Sequence, residues 1–230
     1  MSNKPIYVFL PAYNEGESVD EVIDELKRLE LDLNIFVIDD GSRDETTKKA
    51  WEAGVNIMKH PVNLGGGAAI RTAFTFAALK DVDYIVTLDG DGQHDPKEIV
   101  SIIDAAENGA DLVVGSRFLK RQNIEMPRYR YWGIKFFSWL VSKVVKKRVT
   151  DATSCYRAYN MELVKKVLPE LTEDQYYGLE TLIKMGRNGA RIVEVPVSSK
   201  PRRNGKSKKG VIRYGYNLVR TLVKSLYEMA

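Results

Sequence analysis

The sequence predicts an α/β protein with a mostly parallel central sheet flanked by helices. Short apolar runs alternate with helical patterns through residues 1–119, which implies βαβ units. The chain is 44% hydrophobic and 29% charged with 8 prolines, a globular composition. No apolar run approaches the roughly 18 residues a membrane span needs.

IYVFL (6–10) is β-branched and aromatic, and reads as the first strand. Residues 16–29 space Val19, Val22, Ile23, Leu26 and Leu29 as a helix. NIFVI (34–38) is the second strand, a helix follows at 46–53, and VNIMK (55–59) is the third strand. Residues 65–79 form an Ala-rich helix entered through three glycines. YIVTL (84–88) is the fourth strand, and Pro96 opens a helix to about Glu107, with Asp95 as its cap. DLVVGS (111–116) is the fifth strand. Beyond it, 131–145 reads as an aromatic helix, RIVEVPV (191–197) as a strand and 211–229 as a closing helix.

Ligands of such sheets bind beyond the carboxyl ends of the strands. PAYNE (11–15), DDGSRD (39–44), DGDGQ (89–93) and Arg117 all stand at those ends. Four polar clusters on one rim mark a site. Asp89 and Asp91, two apart and followed by glycines, offer hard carboxylates, and Gln93 adds an amide oxygen; this set suits Mg²⁺ or Mn²⁺. Mg²⁺ is usually held by one or two carboxylates plus substrate phosphates, so a diphosphate ligand is expected as well. An EF-hand fits poorly, since Val100 stands where its last glutamate belongs and Pro96 interrupts the loop. His94 and His60 read as structural. Gly65–Gly67 lacks the lysine of a phosphate loop and reads as a helix start where backbone approaches a ligand or another element.

One cysteine, Cys155, excludes an internal disulfide and a cysteine metal cage. The N-terminus lacks the pattern of a signal peptide, so a cytoplasmic location is expected. Charge is uneven. Residues 1–119 carry 11 Lys/Arg and 22 Asp/Glu, a net of −11; residues 120–230 carry 24 and 9, a net of +15. The second half therefore faces something anionic, or the two halves neutralise each other. Its basic loop PRRNGKSKK also admits a nucleic-acid reading, and its two helices, edged with Lys and Arg, admit a membrane surface, core packing or a dimer interface.

PAYNE, VIDDGS, LDGDGQ, GSR, DATSCYR and PRRNGKSK occur here in the order and at about the spacing of glycosyltransferase family 2. The chain most resembles its polyprenyl-phosphate glycosyltransferases, of the dolichol-phosphate mannose synthase type, over about residues 5–210. The resemblance implies a GT-A nucleotide-sugar-binding fold, with 1–119 as the donor half and 120–230 as the acceptor half of one catalytic domain. It implies that Pro11, Ala12, Tyr13, Glu15, Ile38 and Asp40, with Asp89, Gly90 and Asp91, hold the nucleotide. Asp89, Asp91 and Gln93 would hold the metal and diphosphate. Arg117, Arg130 and Ser154 would meet the acceptor phosphate, and Arg202 and Lys208 would close over phosphates, so that Asp91, Arg117, Arg202 and Lys208 carry catalysis. Cys155 and Tyr156 replace the family's glycine and phenylalanine after Ser154, which leaves that loop's role open.

The activity implied is metal-dependent, inverting transfer of mannose or glucose from GDP-mannose or UDP-glucose to a polyprenyl or dolichyl phosphate. A peripheral position at the inner face of an anionic membrane is implied, or a partner supplying the anchor, and nucleic acid is not expected. An ionised phosphate acceptor needs no strong base. A sugar-hydroxyl acceptor would need one, with Glu180 first and Asp151 second; otherwise Glu180 is an exposed carboxylate on a helix. A pyrophosphorylase is disfavoured because PAYNE, not a Gly-rich signature, follows the first strand. A non-catalytic anion-binding module leaves Asp89, Asp91 and Gln93 unexplained.

Overall fold

A computed structural model describes residues 5–119, 126–200 and 219–224. Seven strands make one sheet: β1 (Ile6–Ala12), β2 (Leu33–Asp39), β3 (Asn56–Lys59), β4 (Tyr84–Thr87), β5 (Leu112–Ser116), β6 (Arg157–Asn160) and β7 (Ile192–Pro196). Their order is β3-β2-β1-β4-β6-β5-β7. All neighbours are parallel except β6, which runs antiparallel to both β4 and β5. The expected strands and helices of residues 6–116 form, with bounds shifted by a few residues.

Alternation along the strands builds two cores. Val8, Leu10, Ile35, Val37, Val86 and Val113 face one side, where α1 (Val19–Lys27) and α4 (Ile99–Glu107) cover them. Phe9, Phe36, Ile38, Ile85 and Leu112 face the other, beneath α3 (Gly66–Ala78), α5 (Arg128–Val145), α6 (Met161–Val167) and α7 (Tyr177–Arg187). The short α2 (Thr46–Glu52) buries Ala50 in the first core. Asp95 caps the turn that opens α4, accepting from the Lys97 N–H at 3.0 Å, as the sequence predicts.

The three glycines before α3 serve close packing against another element. A Cβ on Gly67 would sit 2.0 Å from the carbonyl oxygen of Glu173, and Gly65 has φ +98°. The Gly67 N–H donates to the Asp174 carbonyl at 2.6 Å, so this helix start is occupied by chain. Glu173 also accepts from Thr221 Oγ1 and Lys224 Nζ, both at 3.1 Å, and Leu222 enters the core. The described part of the closing helix thus packs on the domain through one face. No described helix is long and apolar enough to cross a membrane.

Candidate active site

The antiparallel β6 decides where the site's second wall stands. Its first residue, Arg157, pairs with Thr87 at the carboxyl end of β4 and with Val114 in β5. The segment before it, DATSCY, therefore arrives at the same rim as the loops after β1, β2 and β4. Thr87 Oγ1 donates to the Cys155 carbonyl at 2.8 Å and fixes that arrival.

The first two rim loops are laced together. Asn14 N–H donates to Ser42 Oγ, Glu15 N–H to Thr46 Oγ1, Gly16 N–H to Asp44 Oδ2 and Arg43 N–H to Asn14 Oδ1, each at 2.9 Å. Asn14 takes a left-handed φ of 53°, which asparagine tolerates better than most residues. Pro11 pairs with Ile38 in register, and the Asp40 N–H donates to the Ala12 carbonyl. Pro11, Tyr13 and Glu15 are half-buried at this rim, while Ala12 and Ile38 are buried. Asp40 is buried and takes the Leu64 N–H at 2.9 Å and the Gly65 N–H at 2.7 Å, besides pairing with His60 Nδ1 at 2.8 Å. His60 in turn reaches Thr72 Oγ1 with Nε2 at 2.9 Å, so it is a structural link, as expected.

The Asp89–Gln93 turn sits between these loops and the DATSCY segment. Gly92 has φ 68°, and the Gln93 N–H closes the turn onto Asp91 Oδ1 at 3.0 Å. Ser18 Oγ donates to the Gly90 carbonyl at 2.8 Å, pinning the turn to the start of α1. Gln93 is clasped to Lys200: the Lys200 N–H donates to the Gln93 carbonyl at 2.7 Å, and Gln93 Nε2 donates to the Lys200 carbonyl at 3.3 Å. No group of three or more His, Cys, Asp or Glu is gathered for a cation among the described residues. Asp89 and Asp91 with the Gln93 amide are two carboxylates and a hard neutral oxygen. That set fits a cation that completes its shell with water and substrate phosphate. The negative charge of Asp89 reaches Cys155 behind it. Burial first, then Asp89, pushes the Cys155 thiol up to about 12.

Arg117 follows β5 at the same rim, two strands from the turn, and is buried. Its Nε donates to Asp151 Oδ2 at 2.7 Å and its Nη2 to Asp151 Oδ1 at 2.8 Å and Thr153 Oγ1 at 2.8 Å. Burial alone would raise the carboxyl of Asp151; the charge and hydrogen bonds of Arg117 outweigh it and hold that carboxyl below its usual range. His94 is buried, its ring 5.3 Å from that of Tyr156, within reach of the charges of Arg117, Asp91 and Asp151. Burial and then the Arg117 charge keep its imidazole below its usual range, against the pull of the two carboxylates.

Residues 7–168 match the family model described as Glycosyl transferase family 2. The chain belongs to this family. It is 29% identical over 215 residues to the undecaprenyl-phosphate mannosyltransferase of Micrococcus luteus, covering 88% of this chain and 86% of that one. It is 32% identical over 219 residues to the UDP-N-acetylglucosamine–dolichyl-phosphate N-acetylglucosaminyltransferase of Methanococcus voltae, covering 86% and 87%. Among solved structures, glucosyl-3-phosphoglycerate synthase of Mycobacterium tuberculosis, crystallised with Mn²⁺, UDP and glucosyl-3-phosphoglycerate, superposes with a TM-score of 0.75. That likeness covers 97% of this chain and 80% of the other at 19% identity, and it shows the GT-A fold. The chain is thus a glycosyltransferase.

Against this family 2 framework, the expected residues divide. Pro11, Ala12, Tyr13, Glu15, Ile38, Asp40, Asp89, Gly90, Asp91 and Gln93 come together on neighbouring rim loops. Arg117 stands at the same rim beyond β6 and is buried. Ser154 is 1% exposed, behind the rim, and its hydroxyl accepts from the Tyr156 N–H. Arg130 is exposed on the first turn of α5. Arg202 and Lys208 lie outside the described residues.

Glu180 requires a correction. It is 1% exposed, accepts the N–H groups of Thr172 at 2.9 Å and Glu173 at 3.0 Å, and pairs with Lys184 at 3.3 Å. It is neither an exposed helix carboxylate nor a base at the rim; it ties the 172–173 turn to α7. Two supporting residues escaped sequence reading. Glu194 accepts the N–H groups of Thr150 and Asp151, at 2.9 and 3.0 Å, and so sets the carboxylate that holds Arg117. Arg157 is fully buried and donates to the carbonyls of Ser154, Gly178 and Ala152. Only the period-2 position of Glu194 in a strand pattern gave a signal; a buried arginine satisfied by carbonyls gives none.

Proposed function

We propose that this enzyme transfers a sugar, with inversion, from a nucleoside-diphosphate sugar to the phosphate of a polyprenyl or dolichyl lipid, assisted by Mg²⁺ or Mn²⁺. The observation that carries this reading is that Arg117 and the Asp89–Gln93 turn share one rim, where the charges of Arg117 and Asp91 both reach the buried His94. The turn is suited to a cation and a departing diphosphate, and Arg117, fixed by Asp151, is suited to an incoming anion. The lipid-phosphate acceptors named for the Micrococcus and Methanococcus relatives support the acceptor class.

A divalent cation held by Asp89, Asp91 and Gln93 would neutralise charge growing on the leaving diphosphate. The rim loops after β1 and β2 hold the nucleoside, with Tyr13 and Pro11 at the surface. Arg117, fixed by Asp151, orients the acceptor phosphate, whose oxygen attacks the anomeric carbon as the bond to the diphosphate breaks. That oxygen carries no proton at neutral pH, so no base is needed. The two candidate bases fit that role poorly: Glu180 is committed inside α7, and Asp151 is held ionised by Arg117 and is a weak base. The donor half is assigned to residues 1–119, whose end also supplies Arg117 to the acceptor, and the acceptor half to 120–230, working at the cytoplasmic face of a membrane.

The test is incubation with Mn²⁺, a polyprenyl phosphate and a panel of GDP-mannose, UDP-glucose and UDP-N-acetylglucosamine. One nucleotide should be released in step with a glycosyl lipid phosphate. Release that ignores the lipid phosphate and follows a sugar acceptor would overturn the reading.

A further inference from the structure

We infer that the outer face of α5 is a bilayer-docking surface, with the helix lying in the headgroup plane of an anionic membrane and its aromatic edge inserted. This deepens, and rests on, the lipid-phosphate reading above.

Four large side chains of α5 stand in solvent: Tyr129 at 58% exposure, Trp132 at 66%, Phe136 at 55% and Trp139 at 54%. At about 100° per residue they fall within an arc of roughly 80°. The opposite face, Ile134, Phe137, Ser138, Val141 and Val145, is buried in the domain. The exposed edge is therefore not core left uncovered by chance; the helix already has its core face. Lys143 is exposed on the same arc, one turn beyond Trp139. Residues 126–150 contain seven Lys/Arg and no Asp or Glu.

Charge decides the occupant. A second copy would oppose one such basic face with another, and like charges repel. An anionic bilayer complements it: tryptophan and tyrosine favour the headgroup boundary, and each nearby Lys or Arg adds attraction to anionic lipid. The surface also reaches the site. Phe118, next to Arg117, packs edge-on against Tyr131 with ring centres 5.4 Å apart, and Lys135 Nζ lies 4.3 Å from the Phe118 ring. A docked α5 sets Arg117 close to the level at which a lipid phosphate lies.

The experiment uses the whole chain with vesicles of phosphatidylcholine, alone or mixed with phosphatidylglycerol. Wild type should float with the mixed vesicles, less so at high salt, and its tryptophan emission should shift to the blue. The double substitution Trp132→Ala/Trp139→Ala should lower partitioning by about tenfold or more while the melting temperature holds. A Trp132→Phe/Trp139→Phe protein, whose remaining Trp51 lies on α2, should bind without the shift. Transfer to a short, water-soluble prenyl phosphate should survive Trp132→Ala/Trp139→Ala, while transfer to vesicle-borne acceptor falls.

Equal flotation of the alanine variant and wild type overturns the surface. So does absence of wild-type binding, or lipid-free self-association that the same substitutions abolish. If wild type docks but glycosylates no prenyl phosphate, the docking surface stands and the functional reading fails.

Discussion

Arg117 and Asp151 meet at two points, Nε to Oδ2 at 2.7 Å and Nη2 to Oδ1 at 2.8 Å, with Asp151 wholly buried. Removing the carboxylate leaves a guanidinium in a place built for its counter-charge. Asp151→Ala should lose about 3–5 kcal/mol of stability, read from the urea midpoint at constant m-value. The pH dependence has a fixed sign. The folded carboxyl lies below its unfolded value of about 3.9, so its contribution is complete above that value and is lost as pH falls through the folded value. Asp151→Asn should therefore flatten the acid limb of the stability curve below about pH 4. An unchanged limb would show that the pair carries no linkage.

Two glycines in helices should respond to alanine with opposite signs. Gly133, in α5, has nothing within 4 Å of an added Cβ, so Gly133→Ala should stabilise by about 0.5–1 kcal/mol. Gly67→Ala would drive a methyl into the Glu173 carbonyl and should cost about 1–3 kcal/mol. Thermal melts of the two variants beside wild type check this. A stabilised Gly67→Ala protein would mean that the 173–175 turn yields easily.

Cys155 should be inert in the native protein. With its thiol pushed up to about 12, it stays protonated at pH 8, and thiolate is the reactive form. Alkylation by iodoacetamide at pH 8 should be at least about tenfold slower natively than in denaturant. Rapid native labelling would contradict the burial that raises it.

The proposed metal seat at Asp89, Asp91 and Gln93 has its own signature. Asp91→Asn and Gln93→Ala should each cut transfer by about 10²–10³-fold, and chelation should abolish it until Mn²⁺ or Mg²⁺ returns. Calorimetric titration of Mn²⁺ with the nucleoside diphosphate supplies a readout independent of turnover. Retained cation affinity in Asp91→Asn would move the seat elsewhere.

Much of the frame was legible in the sequence because buried strands and amphipathic helices advertise themselves by period. β1 to β5 are short apolar runs, and the polar clusters that end them mark the rim. β6 was not legible. Its residues, Arg157-Ala-Tyr-Asn, look like a loop; pairing with β4 and β5 on both sides makes them a strand interior, and the buried guanidinium is satisfied by the carbonyls of Ala152, Ser154 and Gly178. Glu180 misled for a similar reason: a carboxylate on a helix is usually solvated, and what buries this one is a turn eight residues upstream and a lysine one helical turn downstream. The glycines before α3 announced a close approach but could not say to what. The Arg117–Asp151 pair joins positions 34 residues apart through a strand that the pattern did not reveal.

The reversed direction of β6 separates two kinds of change. The loops after β1, β2 and β4 leave the sheet at the rim and return through helices at its back. The segment before β6 instead enters the sheet at the rim, and everything between Arg117 and Asp151, including α5, is a single excursion pinned at its two ends by one ion pair. Such an excursion can vary on its outer face while the inner residues of α5, Phe137, Val141 and Val145, keep their place in the shared core. Under the roles proposed above, this insert is an interchangeable part: a new acceptor, or a new surface to work on, would be fitted by rewriting it while the donor-side loops keep their frame.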